Sequence, residues 1–588
     1  MKKSIRATVV SLAAVMGLSM AACSPEKIDP TGSAGGIDEN KVQIYVEIYN
    51  GGTGTTWIEE MASEWNATQT DCEVIITGKE KFNIEAVVAQ LQSGLSDTSA
   101  TVYYTVHAGY GRSVIDNDLL VDLTDVLERD VDGNGKTIGE KLGTTDLFRQ
   151  QWKALSTKAD GSGCYALPYG DSYMGLIYDH DAFLEHNWLR YASTSEAAAA
   201  AEDGIQTTVS GNKLVVTNDT DYYDPDNQLL TAGKDGKYGT YDDGQPETYA
   251  QWTAMLQQIV DIDLRKAFLW TGMYSDYLDP VFFGALAQNG GTDVWNAVMS
   301  RNSQGKQIKL NNGQSVAIDY TNGYLADSAQ ALTNTLNFME EIVLTDGYVN
   351  EKSFSGQTTH TDAQNAFLLG YLNERANPET AFLVDGVWWE NEARSFFLSL
   401  ENDGEEGRGY GQRDYRFMLL PDLDGQLSTK SHFSSQDCGA VAIAKLPDNE
   451  KNNIKTRGAK DFLAYTLKDE NLRKFTVKTG VNRAYDYTLT AEDRAAMTPF
   501  ARAAYDIYHD TENIEIMHPT ITENPFNRSS GFYGVEWISD KRELHYASFA
   551  DCMRNSGAQS MINRWNNRVS ASEWNEIVQE ARTQGWID

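Results

Sequence analysis

The chain lacks the sequence features of nucleic-acid-binding, zinc-binding and membrane-spanning proteins. Its 588 residues include 49 lysines and arginines against 84 aspartates and glutamates, giving a formal net charge of −35. The electrostatic field of this negative charge repels phosphate backbones, so we expect no nucleic acid partner. The cysteines at 72, 164, 438 and 552 form no C-x-x-C pair, which argues against zinc and against a disulfide scaffold. After residue 22, no apolar run approaches the length of about 18 residues that a membrane span needs.

Sequence motifs of catalysis are also missing. There is no G-x-S-x-G, no H-E-x-x-H and no nucleophile with an evident base. The glycine-rich segment 50–54 is not a phosphate-binding loop, because it lacks the lysine and the spacing. A glycoside hydrolase would need two carboxylates about 5 to 10 Å apart, and no segment singles out such a pair. We therefore predict that the protein is not an enzyme, and keep a glycoside hydrolase as an alternative.

The N-terminus is typical of a lipoprotein leader. Three basic residues precede the apolar run 7–22, and small residues lead to Cys23. We predict a signal peptide over 1–22, because the run is too short for a comfortable membrane span. Cys23 would then be the acylated N-terminus, and more than one acyl chain gives stable anchoring. The alternative is an ordinary signal peptide followed by an incidental cysteine.

The segment that follows the leader has the composition of a flexible tether. Residues 23–40 are rich in proline, glycine, serine and charge, with hardly any large apolar group. We therefore expect a protein held by its lipid alone at the extracytoplasmic face of the cell membrane.

Strand and helix patterns alternate after the tether. Segment 41–49 alternates between apolar and polar residues and is rich in residues that favour strands. Thr56 to Glu59 would form a capping box for the next helix. A second strand (72–77), a second helix (84–95) and a third strand (100–106) follow. This order predicts an α/β fold with a mainly parallel sheet flanked by helices. Ligands of such sheets lie beyond the carboxyl ends of the strands, here segments 49–52 and 105–110.

Six later motifs occur in an order known from one protein family. They are CYALPYG at 164–170, AQNGG at 287–291, AQNAFLLG at 363–370, AFLVDGVWW at 381–389, FMLLP at 417–421 and GAVAI at 439–443. Together they resemble the bacterial extracellular solute-binding proteins of ABC importers, of the carbohydrate type to which the maltose-binding protein family belongs. Each motif alone is weak evidence for the family, but six motifs in this order behind a lipoprotein leader are specific for it.

The resemblance implies a two-lobed periplasmic-binding-protein-like fold with a multi-strand hinge. Lobe 1 would hold 41–167 and 445–490, and lobe 2 would hold 168–444 and 495–588 with an insertion at about 190–246. It also implies a monomer that captures a sugar or oligosaccharide between the lobes and delivers it to an ABC transporter permease. A surface glycan-binding lipoprotein without a transporter is the alternative.

A sugar site needs flat aromatic side chains for the C–H faces and planar hydrogen-bonding groups for the hydroxyls. Trp388 and Trp389 are adjacent in the sequence. Neighbouring residues in an extended segment point to opposite faces, so one of the two can face a cleft. The candidate ligand-binding residues lie at the loops and motifs above. They are Tyr49, Asn50, His107, Tyr110, Tyr169, Asp171, Trp270, Tyr277, Trp388, Trp389 and Trp537.

One loop resembles the opening of a calcium site. Asp130, Asp132 and Asn134 supply oxygens at alternate positions, with glycine at the sixth. The twelfth position is Lys141 instead of glutamate, so a polar turn is the alternative. We expect no required cofactor and keep structural calcium as a hypothesis.

Overall fold

The computed structural model describes residues 37–79, 84–93, 100–105, 112–143, 145–158, 160–262, 265–274, 276–372, 379–405, 407–423, 429–519, 549–567, 569–583 and 587. Within these ranges, no helix is both long enough and apolar enough to cross a membrane.

The described strands are short except for two. They are β1 (Val42–Tyr49), β2 (Cys72–Lys79), β3 (Val102–Thr105), β4 (Leu167–Asp179), β5 (Thr207–Ser210), β6 (Lys213–Val216), β7 (Lys266–Leu269), β8 (Gln307–Lys309), β9 (Ser315–Ala317), β10 (Thr380–Gly386), β11 (Tyr415–Met418), β12 (Ser431–Ile443) and β13 (Ile514–Met517).

The described α-helices flank these strands. They are α1 (Thr56–Asn66), α2 (Ile84–Ser93), α3 (Arg112–Asp116), α4 (Thr124–Leu127), α5 (Ile138–Lys141), α6 (Asp146–Ser156), α7 (His180–Glu185), α8 (Ala197–Glu202), α9 (Tyr249–Val260), α10 (Asp279–Ser300), α11 (Gln330–Leu344), α12 (His360–Leu369), α13 (Trp389–Glu392), α14 (Arg394–Asn402), α15 (Glu450–Thr466), α16 (Asp469–Thr479), α17 (Ala491–Ala496), α18 (Pro499–His509), α19 (Phe549–Asn566) and α20 (Ala571–Thr583).

The described residues form one nine-stranded sheet in the order β2-β1-β3-β12-β4-β10-β7, with β11 on β4 and β13 on β12. Strands β2, β1 and β3 pair in parallel, as do β10 with β7 and β12 with β13. The long strands β4 and β12 run antiparallel to each other. Strand β12 also runs antiparallel to β3, and β4 to β10, so the two long strands link the parallel parts of the sheet. A third link joins Asp171 to Asn482. The prediction of a mainly parallel sheet flanked by helices is confirmed.

Helix α1 shows how the sequence sets the first layer. Its buried residues lie on one face at helical spacing, so the helix packs on the sheet with that face. The helix begins at the expected place, but the predicted capping box is wrong, because the N-cap residue is Thr55 and its side chain accepts no backbone N–H. Thr55, not Thr56, contacts Glu59, through a hydroxyl that donates to the carboxylate at 2.8 Å. The residues on the buried face are Trp57, Ile58, Met61, Ala62 and Trp65.

Two large clusters of buried side chains form the core. One surrounds β1, β3, α1 and α15, and the other surrounds β7, α9, α10 and α11. Trp388 packs against both clusters. The residue bounds predicted for the two lobes stay a prediction, and α18 contributes Phe500 and Ala504 to the first cluster although it was predicted in lobe 2.

The predicted insertion at 190–246 is folded and contains the β5–β6 hairpin. Its aspartates bind backbone and hydroxyl groups. Asp242 accepts the backbone N–H of Lys234 at 2.7 Å, and Asp243 accepts that of Gly239 at 2.7 Å and the hydroxyl of Tyr223. Both carboxylates are buried. The insertion is thus tied together by its own acidic side chains.

Three cysteines are free thiols within the described part of the chain. Cys72, Cys164 and Cys552 are all buried.

Candidate functional site

The two halves of the molecule meet at Trp388 and the loop after β1. The backbone of Gly52 lies so close that a Cβ there would be 3.4 Å from the indole of Trp388. The side-chain amide of Asn391 donates to the carbonyl oxygen of Gly52 at 2.7 Å. A contact therefore joins the first half of the chain to the element that follows β10.

Glycine at two positions makes this approach possible. Strand β10 is buried along its length and ends at Gly386. The ring of Trp388 folds back over that residue, because a Cβ on Gly386 would lie 2.4 Å from the indole. Gly52 adopts φ of +56°, a left-handed conformation that favours glycine. The half-buried indole is thus held between two glycine backbones.

Three tyrosines lie around this junction. The rings of Tyr274 and Tyr277 stack with centroids 6.1 Å apart, and Tyr274 lies 5.7 Å from the ring of His360. Tyr274 is 43% exposed, so its ring is accessible to a ligand. Burial raises the pKa of Tyr49, and the nearby Glu392 carboxylate and Tyr274 raise it further. Tyr49 from β1 therefore faces groups from the other half of the chain.

A pair of carboxylates lies behind the rings. Gln364 of α12 donates from Nε2 to Asp385 at 3.0 Å and to Glu392 at 2.8 Å. Burial, followed by the charge of Glu392, raises the pKa of Asp385 to about 8. Asp385 is only 1% exposed and lies where a substrate has no access, so the pair does not form the open acid–nucleophile arrangement of a glycoside hydrolase.

This arrangement is suited to binding a polar molecule with apolar faces. Aromatic rings from both halves supply flat surfaces, and Glu392, His360 and Asn391 supply planar hydrogen-bonding groups. Trp388, Tyr49 and Tyr277 were predicted from the sequence, and the structure brings them together. Asn50 is exposed at the end of β1. The sequence prediction missed Gln364, Asp385, Glu392 and His360.

Trp389 lies in the core, which corrects its prediction as a cleft residue. It is fully buried, and its ring meets those of Phe367, Tyr415 and Phe500 at centroid distances of 5.9, 5.2 and 5.6 Å. The chain turns into helix α13 at this point and not into an extended strand, so Trp388 and Trp389 do not simply alternate between two faces.

Three further candidates are also core or hinge residues and not ligand-facing ones. The ring of Tyr169 is buried against Trp57 at 6.3 Å. Trp270 is 2% exposed and packs edge-on against Phe354 at 5.6 Å. Asp171 is 1% exposed and accepts hydrogen bonds from His518 and Tyr508, so its oxygens stabilise the crossing between the halves. The predicted residues His107, Tyr110, Trp537 and Cys23 lie outside the described residues.

The suspected calcium loop uses its oxygens internally. Asp130 accepts backbone N–H groups of Gly135 and Asn134 at 2.8 and 3.2 Å. The ammonium group of Lys141, itself 1% exposed, lies 2.7 Å from Asp132. Across the described ranges, no group of three or more His, Cys, Asp or Glu side chains could hold a metal ion. The calcium hypothesis finds no support in this geometry.

No protein-family profile matches this sequence, and no curated protein matches it. Among solved structures, the chain is similar to the apo form of RafE from Streptococcus pneumoniae, with a TM-score of 0.50 and 14% sequence identity. It is similar to a chitin oligosaccharide binding protein with a TM-score of 0.50 and 11% identity. Each match covers 92% of this chain and 100% of the other.

Similarity over the full length of these structures establishes the fold. The chain has the α/β fold of the two-lobed solute-binding proteins, which confirms the predicted fold class. In this fold, Trp388 packs against both buried clusters and lies beside the loop after β1.

Proposed function

We propose that this protein is a non-enzymatic, carbohydrate-binding subunit of an ABC importer, which captures a sugar or oligosaccharide between its lobes. The observation that carries this proposal is the group of aromatic side chains from both lobes, with Tyr49 on one side and Trp388, Tyr274 and Tyr277 on the other. Sugar rings stack on such faces. One protein with this fold is a chitin oligosaccharide binding protein. This similarity supports a sugar as the ligand.

The proposal predicts that a cognate oligosaccharide compacts the protein. The ligand contacts both lobes, so it binds the closed form better than the open form and shifts the population toward closure. Calorimetry on a panel of soluble oligosaccharides would identify the ligand, and small-angle X-ray scattering would measure the radius of gyration with and without it. An unchanged radius at saturation would favour a rigid surface glycan-binding protein, and binding of no sugar at all would contradict the proposal.

We further propose that Cys23 carries the lipid anchor and that an ABC permease receives the sugar. The basic residues, the apolar run and the small residues before Cys23 support the anchor. Replacing Cys23 by alanine should abolish incorporation of labelled palmitate and release the protein from the membrane fraction. Continued labelling of the Cys23→Ala variant would contradict the lipoprotein proposal without affecting the proposal of sugar binding.

A further inference from the structure

The side of the cleft that carries Trp388 holds an unbalanced negative charge at Glu392. Glu392 and Asp385 share one amide donor, Nε2 of Gln364. In the described part of the chain, Glu392 forms no ion pair with a lysine or arginine. Asp385 is mostly protonated near pH 6, because burial, followed by the charge of Glu392, raises its pKa to about 8. The basic neighbour of Glu392 is His360, whose Nε2 lies 3.5 Å away. A ligand that brings positive charge would therefore meet an attractive field here.

The same side of the cleft has more hydrogen-bond acceptors than donors. Gln364 is 1% exposed, and its Oε1 has no hydrogen-bond partner among the described residues. The amide nitrogen of Gln364 donates to both carboxyl groups. Rotating the amide would lose these two hydrogen bonds and place its oxygen against the carboxyl oxygens. A buried acceptor without a donor is costly, so the site favours a group that supplies N–H donors. An ammonium group offers three donors and no acceptor.

Aromatic rings complete the environment. Tyr274 stacks with Tyr277 and lies 5.7 Å from the ring of His360, the basic neighbour of Glu392. Burial and nearby carboxylates, Glu392 among them, raise the pKa of Tyr49 and of Tyr277. The face of an aromatic ring carries negative potential and attracts a cation within about 6 Å. A ring face beside a carboxylate binds a protonated amine better than either group alone.

We propose that this cleft takes a sugar that carries a free, protonated amino group, with the ammonium paired to Glu392 beside the tyrosine rings. This inference rests on the proposed sugar-binding function and names the class of sugar. Sugars with carboxylate groups would be repelled by Glu392. Sugars with a hydroxyl or N-acetyl group at the same position would lack the charge.

The test is binding to matched sugars on a glycan array, followed by calorimetry on the best set. Each set presents the same oligosaccharide with a free amine, an N-acetyl group, a hydroxyl or a carboxylate at one position, at about pH 6 where the amine is protonated. We expect the amine form to bind at least about 10-fold more tightly than its neutral counterparts, a difference of about 1.4 kcal/mol. We also expect this preference to fall as salt is raised, because screening weakens an exposed ion pair.

The variant Glu392→Gln should lower the ratio of amine to neutral affinity by about 10-fold. Both affinities in this ratio are measured on the same variant. A loss of folded protein would lower the apparent affinity for the amine form and for the neutral form equally and would leave their ratio unchanged. Glu580→Gln, which removes an exposed carboxylate from α20, is the control of equal charge and should keep the wild-type ratio. Neutral sugars that bind as tightly as their amine forms, or an unchanged ratio in Glu392→Gln, would overturn this inference while the sugar-binding proposal stands. Binding of none of the sugars would overturn both.

Discussion

Replacing Trp388 by alanine should weaken binding of the cognate sugar by roughly 30- to 1,000-fold. An indole buries about 150 to 250 Å², and its loss from the centre of a site typically costs about 2 to 4 kcal/mol of binding free energy. The ring lies between the backbones of Gly52 and Gly386 and against both core clusters, so its removal takes away a flat surface that contacts both parts of the structure. Calorimetry with the cognate sugar measures the effect.

The free energy of unfolding should be measured on the same Trp388→Ala protein. Because the indole is only half-buried, we expect a smaller loss of stability than for a core tryptophan. Trp388→Phe keeps a flat ring and should restore part of the affinity. Wild-type affinity in a strongly destabilised Trp388→Ala protein would show that the residue is purely structural.

Replacing Trp389 by alanine should instead destabilise the protein by about 3 to 5 kcal/mol. Its ring fills a space bounded by Phe367, Tyr415 and Phe500, and alanine would leave a cavity there. Denaturant unfolding measures the loss. Under conditions where the variant is folded, we expect sugar affinity to change by less than about 10-fold, since the ring has no exposed surface.

The two adjacent tryptophans therefore act as controls for each other. Trp388→Ala should mainly affect binding, and Trp389→Ala should mainly affect stability. Equal stability losses in both variants, with no difference in affinity, would contradict the placement of Trp388 at the cleft.

The fold could be predicted from the sequence where hydrophobic periodicity is strong. In α1, the spacing of Trp57, Met61 and Trp65 identifies both the helix and its buried face, because one face of a 3.6-residue period must pack on the sheet. The cap was harder to predict. Only Thr56 stands three residues before a glutamate, yet the N-cap residue is Thr55, so the start of the helix depends on the backbone conformation at the end of the preceding loop.

The site could be predicted only in part. Aromatic residues near strand ends are visible in a sequence, which brought out Tyr49, Tyr277 and Trp388. The same criterion also selected Tyr169 and Trp270, because burial depends on what packs above a ring, and local sequence does not contain that information.

The carboxylate pair could not be predicted for a different reason. Gln364 lies on α12, whereas Asp385 and Glu392 lie at the end of β10 and in α13. Only the packing of α12 against β10 brings the amide to both carboxylates. With 84 acidic residues in the chain, their pairing depends on tertiary contacts and not on any local pattern.

The buried thiols determine how readily the folded chain reacts with disulfides. Burial raises the pKa of Cys72 and Cys164 to about 11. At neutral pH only about one such thiol in 10,000 would be ionised, and the thiolate is the form that attacks a disulfide. Once folded, the protein would therefore exchange slowly with disulfides in its surroundings. The unfolded chain lacks this protection, so its exposure to wrong disulfides is confined to the time before it folds.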